Sequence, residues 1–361
     1  MKRSVSPLLL SVCLLCGACQ SVEQLSIDYM KPAEVNFPNS LRRVAVVNNM
    51  PQWPADRFAA ENDSTRDIKL EGPFKKSTRY YSGDAQIATE SLAQALADQE
   101  YFDEVIICDS ALQNGYTPGQ APVLSRECVA ELAKTLEVDF LIALEDVQIK
   151  SVRQKGWFAP MGGEYLDLID ATVCPTLRLY LPNRQQPLIT VSGKDSIFWE
   201  YGTIQVKSEK ELVAQASQFA GTIPIKHLLP YWETGKRYLF TGGSVNMRDA
   251  AIYAKENNWA EAVRLWEESY KGSKGKKKMY AAYNLALGHE MQDSISTACE
   301  WALKAQELAR EVDKVDRQNE QGELDLTDVP NYVFTTIYVN ELRQREKDLT
   351  RLKIQMQRLE E

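Results

Sequence analysis

The chain has 361 residues, 44% of them hydrophobic and 25% charged, the ordinary mixture of a polypeptide that buries a core, which excludes wholesale disorder and a polytopic membrane protein. With 42 Lys and Arg against 50 Asp and Glu, the formal net charge is −8, which argues against general nucleic-acid binding through clustered cations. Only two histidines occur, His227 and His289, which argues against a His-rich metal site and His-based catalysis.

Met1-Lys2-Arg3 is a positive start, and Val5 to Leu15 is an apolar stretch too short to span a bilayer but suited to a secretory signal. Cys16-Gly17-Ala18-Cys19 follows and resembles a bacterial lipoprotein signal, with Cys16 at a position where Leu is usual. The resemblance implies cleavage before Cys19, palmitate-type lipidation of that residue, and a cell-envelope location, on the outer membrane facing the periplasm. A plain cleaved signal peptide is the alternative. Residues 1–18 are thus read as signal and 19–24 as a tether, leaving 40 basic against 50 acidic residues in the mature chain. Four further cysteines, Cys108, Cys128, Cys174 and Cys299, are widely spaced without a CxxC pair and read as unpaired core residues.

Residues 25–235 read as one α/β domain. Leu25 to Met30 and Leu41 to Asn48 predict strands, the second apolar enough for a buried sheet position. Met50 to Ser82 is polar, broken by Pro51, Pro54 and Gly72-Pro73, and shows no periodicity. A helix is expected from Asp84 on the stripe Ile87, Ala88, Leu92, Ala95, Leu96, then a strand at Val105 to Cys108. Ser125 is expected to cap a second helix through Leu136, and Asp139 to Leu144 opens a strand running toward Val152. Ser151 to Glu164 breaks the pattern. Alternation resumes at Leu166 to Leu181, with Pro187 to Glu200 as one partner strand and a helix from about Ser208 to His227. Arg43 to Val47, Ala93 to Phe102 and Val138 to Ile142 carry a pattern similar to the small α/β domain of curli-secretion lipoproteins, penicillin-binding-protein activators and the N-terminal domain of the Tol translocation protein. The fold class expected is a mixed sheet flanked by helices, followed by an all-α region.

In that second region, 244–310, Asn257 to Ser269 can be laid on Asp293 to Ala305, with Ala262 on Ala298, a period of 36 residues. Two such units resemble tetratricopeptide repeats, whose unit is about 34 residues. An acidic linker (311–329) and a helix (330–361) follow; Tyr338, Leu342, Leu349, Leu352, Met356 and Leu359 lie on heptad positions that fit either a cap over the last repeat or a coiled coil. The lipoprotein signal, α/β domain and repeats together look like a family of uncharacterised bacterial envelope lipoproteins whose N-terminal region is a domain of unknown function.

No GxSxG, HExxH, Walker or GxGxxG motif occurs, and no cofactor or metal is implied. Ser273-Lys274-Gly275-Lys276 fits SxxK but lies in a Lys/Gly run; Glu145 with Asp146, and Asp167 with Asp170, are the carboxylate sets near a sheet end. Trp157, Phe158 and Met161 put two aromatics and a thioether on an expected hairpin tip, which either meets a partner or folds back on the sheet. Tyr283, Asn284 and His289 are the expected partner-binding positions of the repeats, with core or groove packing favoured over catalysis for the lone His289. The leading expectation is a lipid-anchored, non-enzymatic scaffold that binds protein or peptide, with no nucleic acid or metal. The second is an oligomeric assembly or secretion subunit resembling the curli pore, and the third a hydrolase of unknown type.

Overall fold

The computed structural model describes residues 22–50, 75–112, 122–158, 164–201, 208–322 and 325–360. The chain forms two compact units, Ala33–Tyr231 with Gln355–Glu361, and Met1–Pro32 with Trp232–Ile354. Strand β1 (Val22–Lys31) belongs to the second unit. The first, a sheet unit, contains β2 (Arg43–Asn48), β3 (Lys75–Ser82), helix α1 (Ala85–Ala97), β4 (Glu104–Cys108), α2 (Arg126–Thr135), β5 (Phe140–Phe158) and β6 (Glu164–Tyr180). It continues through β7 (Ile189–Ser192), β8 (Asp195–Tyr201), α3 (Glu209–Thr222) and α4 (Ile225–Leu228).

The sheet is mixed, and β5 changes neighbours along its length. Its first residues run parallel to β2, from Val44 opposite Phe140 to Asn48 opposite Leu144. Its second half runs antiparallel to β3, from Ser82 opposite Gln148 to Lys75 opposite Lys155. On the other edge β6 is antiparallel throughout, and β7 and β8 then pair with successive parts of β6. Where the strands are parallel, both faces are covered, so Val44, Ala45, Val46 and Val47 are each 0% exposed. Val44, Val46 and Ile142 face a core shared with α1 and α3; Ala45, Val47 and Leu141 face a second core with Val129 and Ala133 of α2.

Local signals start the helices where the sequence expects. The side chains of Asp84, Ser125 and Ser208 each accept a backbone N–H of the first turn of α1, α2 and α3. Helices α1 and α3 approach closely at Gly221, where a Cβ would stand 2.5 Å from the Leu92 backbone nitrogen.

Three expectations are corrected here. The stretch to Ser82, read as having no periodicity, contains β3: its Tyr81 is inside and Tyr80 outside, but Lys75, Lys76, Ser77, Thr78 and Arg79 hide the alternation. Residues 51–74 of that excursion lie outside the described residues. The break at Ser151 is absent, because β5 continues to Phe158 in register with β6. The partner of β6 is two strands, β7 and β8, not one.

In the second unit, β1 forms a two-stranded ribbon with β9 (Tyr231–Phe240). Strand β1 therefore groups with the helices, and the boundary falls at Trp232, so the expected domain 25–235 is displaced at both ends. The helices are α5 (Val245–Lys255), α6 (Trp259–Gly272), α7 (Gly275–Glu290), α8 (Ile295–Val312), α9 (Val315–Glu320) and α10 (Pro330–Glu360, to Ile354 in this unit). A 36-residue step is present in the backbone: Asn257 and Asp293 both take positive φ, 62° and 57°, just before α6 and α8. Ala262 and Ala298 are both 0% exposed. Helix α7 is buried on nearly all sides, and at Gly288 a Cβ would meet Val263 Cγ2 at 2.5 Å. The first half of α10 lies on this core through Phe334, Tyr338 and Leu342, the packing expected of a cap. No helix of the described residues is long and apolar enough to cross a membrane.

Candidate functional site

Beyond residue 145 the strands β3, β5, β6 and β8 form a four-stranded antiparallel half-sheet. Alternation sends Tyr81, Ile149, Ile169, Ala171 and Val173 into the core. The opposite face carries the cross-strand row Tyr80, Lys150, Thr172, Ser196, and beside it the row Thr78, Val152, Asp170, Phe198. On this face Phe198 is 57% exposed and Tyr80 46%.

The register of β5 against β6 shifts between Leu144 and Asp146. Such a bulge adds one residue to one strand and re-aims its side chains. Leu144 and Val147 remain in the core shared with α1 and α3, so the two intervening carboxylates both turn to the other face. Glu145 is well partnered there. Asn49 Nδ2 donates to its Oε2 at 2.8 Å, Tyr180 OH to its Oε1 at 3.0 Å, and Arg178 Nη1 lies 3.3 Å from Oε2. Burial raises the Glu145 pKa, opposed by Asn49, Arg178 and Tyr180, and the Tyr180 phenol is pushed up to about 12 by burial and by Glu145.

Asp146 is held differently. It is 5% exposed, and its Oδ2 accepts Gln148 Nε2 at 2.8 Å, while its Oδ1 has no hydrogen-bond partner among the described residues. Burial raises its pKa against the opposing hydrogen bond from Gln148. It lines an open recess of about 360 Å³ with Ser82, Gln148, Lys150, Thr172 and Lys194 among its walls. The expected pair Asp167 and Asp170 is not a pair: Asp167 is buried and ion-paired with Arg153, whereas Asp170 is exposed on the outer face.

Cys19 and Met161 lie outside the described residues. Trp157 and Phe158 occupy the last two positions of β5, opposite Tyr165 and Glu164. Tyr283 and Asn284 do not line an open groove; they are 2% and 0% exposed. The Asn284 amide brackets one residue of β9, accepting Phe240 N–H at 3.0 Å and donating to Phe240 O at 2.8 Å. Tyr283 stacks on Phe334 and packs against Tyr338 of α10, so the face expected to receive a peptide is filled by the chain's own strand and helix. His289 is half-buried, and burial lowers its pKa. Cys108, Cys128, Cys174 and Cys299 are free, with only Cys299 buried.

Sequence reasoning missed Asn49, Arg178 and Tyr180 around Glu145, and Tyr80 and Phe198 on the outer face. Continuing the period of two through residues 146–158 would have found the face. The bulge has no such signal.

No curated protein matches the chain. Among solved structures it is similar to a single-substitution variant of the PelC dodecamer from Paraburkholderia phytofirmans, at 12% identity and a TM-score of 0.23, over 57% of this chain and 98% of that one. Residues 248–344 match a second family model, Domain of unknown function (DUF6340). Residues 41–240, more than half of the chain, match the model of the family described as Domain of unknown function (DUF8603), and the chain belongs to that family.

Proposed function

We propose that the protein is a lipid-anchored envelope scaffold that works by binding another protein, not by catalysis. Its anchor is a lipid on Cys19, its membrane the outer one with the chain facing the periplasm, and its helical pairs are of the tetratricopeptide kind. The observation that carries the binding reading is the outer face of the half-sheet, where Tyr80 and Phe198 stand exposed. Exposed aromatics on a rigid sheet lose little side-chain freedom on contact and are common interface anchors. Trp157, Phe158 and Met161 supply two further aromatics and a thioether for that contact. The non-catalytic reading draws support from the engagement of Glu145 and Asp167, each held by an arginine.

Crosslinking in intact cells, followed by purification, tests it. Tyr80→Ala with Phe198→Ala is expected to lose the crosslinked partner and keep the melting temperature, while Ile337→Ser, an exposed change on α10, keeps both. Equal recovery from all three proteins would overturn the scaffold reading. A large ring-shaped particle in detergent would replace it with an assembly subunit. The anchor is checked by Cys19→Ala, which is expected to move the chain from the membrane fraction to the soluble one, since each buried CH₂ of an acyl chain contributes about 0.8 kcal/mol.

A further inference from the structure

We propose that the recess beside the β5 bulge binds a small zwitterion of the amino-acid type, its ammonium donating to Asp146 and its carboxylate meeting Lys150 and Lys194. The recess volume, about 360 Å³, lies in the range of small-molecule pockets. Its Asp146 is 95% withdrawn from solvent yet keeps one carboxylate oxygen without a donor among the described residues. Buried acceptors of this sort are rare because the lost hydration is not replaced, and a bound donor replaces it. Gln148 fixes the other oxygen at 2.8 Å, so the free one is held in place without a ligand.

The opposite charge is close by. Lys150 and Lys194 line the same recess, both are exposed, and neither has an ion pair with a described residue. Ser82 and Thr172 add hydroxyls that donate or accept. A plain anion would confront the Asp146 carboxylate, and a plain cation would confront two lysines. A molecule with an ammonium and a carboxylate a few bonds apart satisfies both ends, and it does so whether or not the outer face also binds a protein.

Calorimetric titration of the full chain with glycine, L-alanine, D-alanine, L-glutamate and L-lysine tests this, with acetate and methylammonium as half-ligands. At least one zwitterion is expected to bind with a Kd below about 1 mM, and both half-ligands at least about tenfold more weakly. Asp146→Asn, nearly isosteric, and Lys150→Gln are each expected to weaken the same zwitterion about tenfold or more, while Ile107→Ser on the β4 edge leaves it unchanged. Failure of all five zwitterions to saturate the wild-type chain overturns the proposal. So does equal binding by the half-ligands, or undiminished binding by a folded Asp146→Asn protein.

Discussion

Arg237 and Glu290 face each other inside the helical unit, joined by two hydrogen bonds of 2.8 Å, with side chains 3% and 0% exposed. Glu290 also accepts from Tyr338 OH and Arg345, both at 2.8 Å. Burial works against the charge of Arg237, but the bonds and charge of Glu290 more than offset it and raise its pKa. Every charge-bearing oxygen of Glu290 is thus answered. Glu290→Ala leaves two arginines facing a vacated acceptor, and a loss of about 3–5 kcal/mol is expected in denaturant unfolding. Replacing the pair together, Arg237→Met with Glu290→Leu, should recover part of it. A single-variant loss under about 1 kcal/mol, the scale of a surface pair, would contradict the buried network.

Asp146→Asn, which removes a buried carboxylate charge and keeps the shape of the side chain, is expected to stabilise the protein near pH 7 by about 1–3 kcal/mol. Because burial raises the folded-state pKa of Asp146, the folded chain holds that proton more tightly than the unfolded chain. Its contribution is therefore most favourable below the ordinary Asp pKa of about 3.9 and declines as pH rises through the raised value. The difference in melting temperature between variant and wild type should shrink on acidification. A gap that widens toward low pH would reverse the assignment.

Ala298→Trp is expected to unfold the helical unit and spare the sheet unit. Ala298 is 0% exposed at a close helix contact, and overpacking there costs about 1–3 kcal/mol or more. Limited proteolysis should remove the helices and leave a resistant fragment from the sheet unit. Uniform resistance across both units would count against the packing described.

Ending the chain after Val329 removes Phe334, Tyr338 and Leu342, which cover Tyr283 and Phe240. The helical unit should lose cooperativity in thermal unfolding, with no change in oligomeric state. A dimer of the full chain that becomes a monomer on truncation would mean that α10 forms a coiled coil between chains.

Much of the sheet unit was legible because its signals are local. Asp84 and Ser125 announce their helices, the apolar run Val44 to Val47 announces a strand covered on both sides, and the odd residues Ile169 to Leu179 announce one buried face. Strand β9 was not legible, since its inward positions include Glu233 and Arg237, charges whose partners lie far along the chain. The groove reading of Tyr283 and Asn284 failed for a related reason. A helix sequence shows that a face is apolar but not which later segment fills it, and here Phe240 and α10 do. The candidate recess was hidden because one extra residue in β5 turns two adjacent carboxylates to the same side.

The pairing of β1 with β9 has a consequence for the order of events during synthesis. Roughly 200 residues separate the end of β1 from the start of β9, so at about 5–20 residues per second the early strand waits about 10–40 s for its mate to be made. The sheet unit, whose residues all lie between them apart from its last seven, has time to collapse first. Meanwhile β1 offers open backbone donors and acceptors and the apolar Leu25 and Ile27 to any neighbouring strand. A nascent chain stalled before residue 231 should therefore be the form most prone to aggregate and most in need of a holding chaperone.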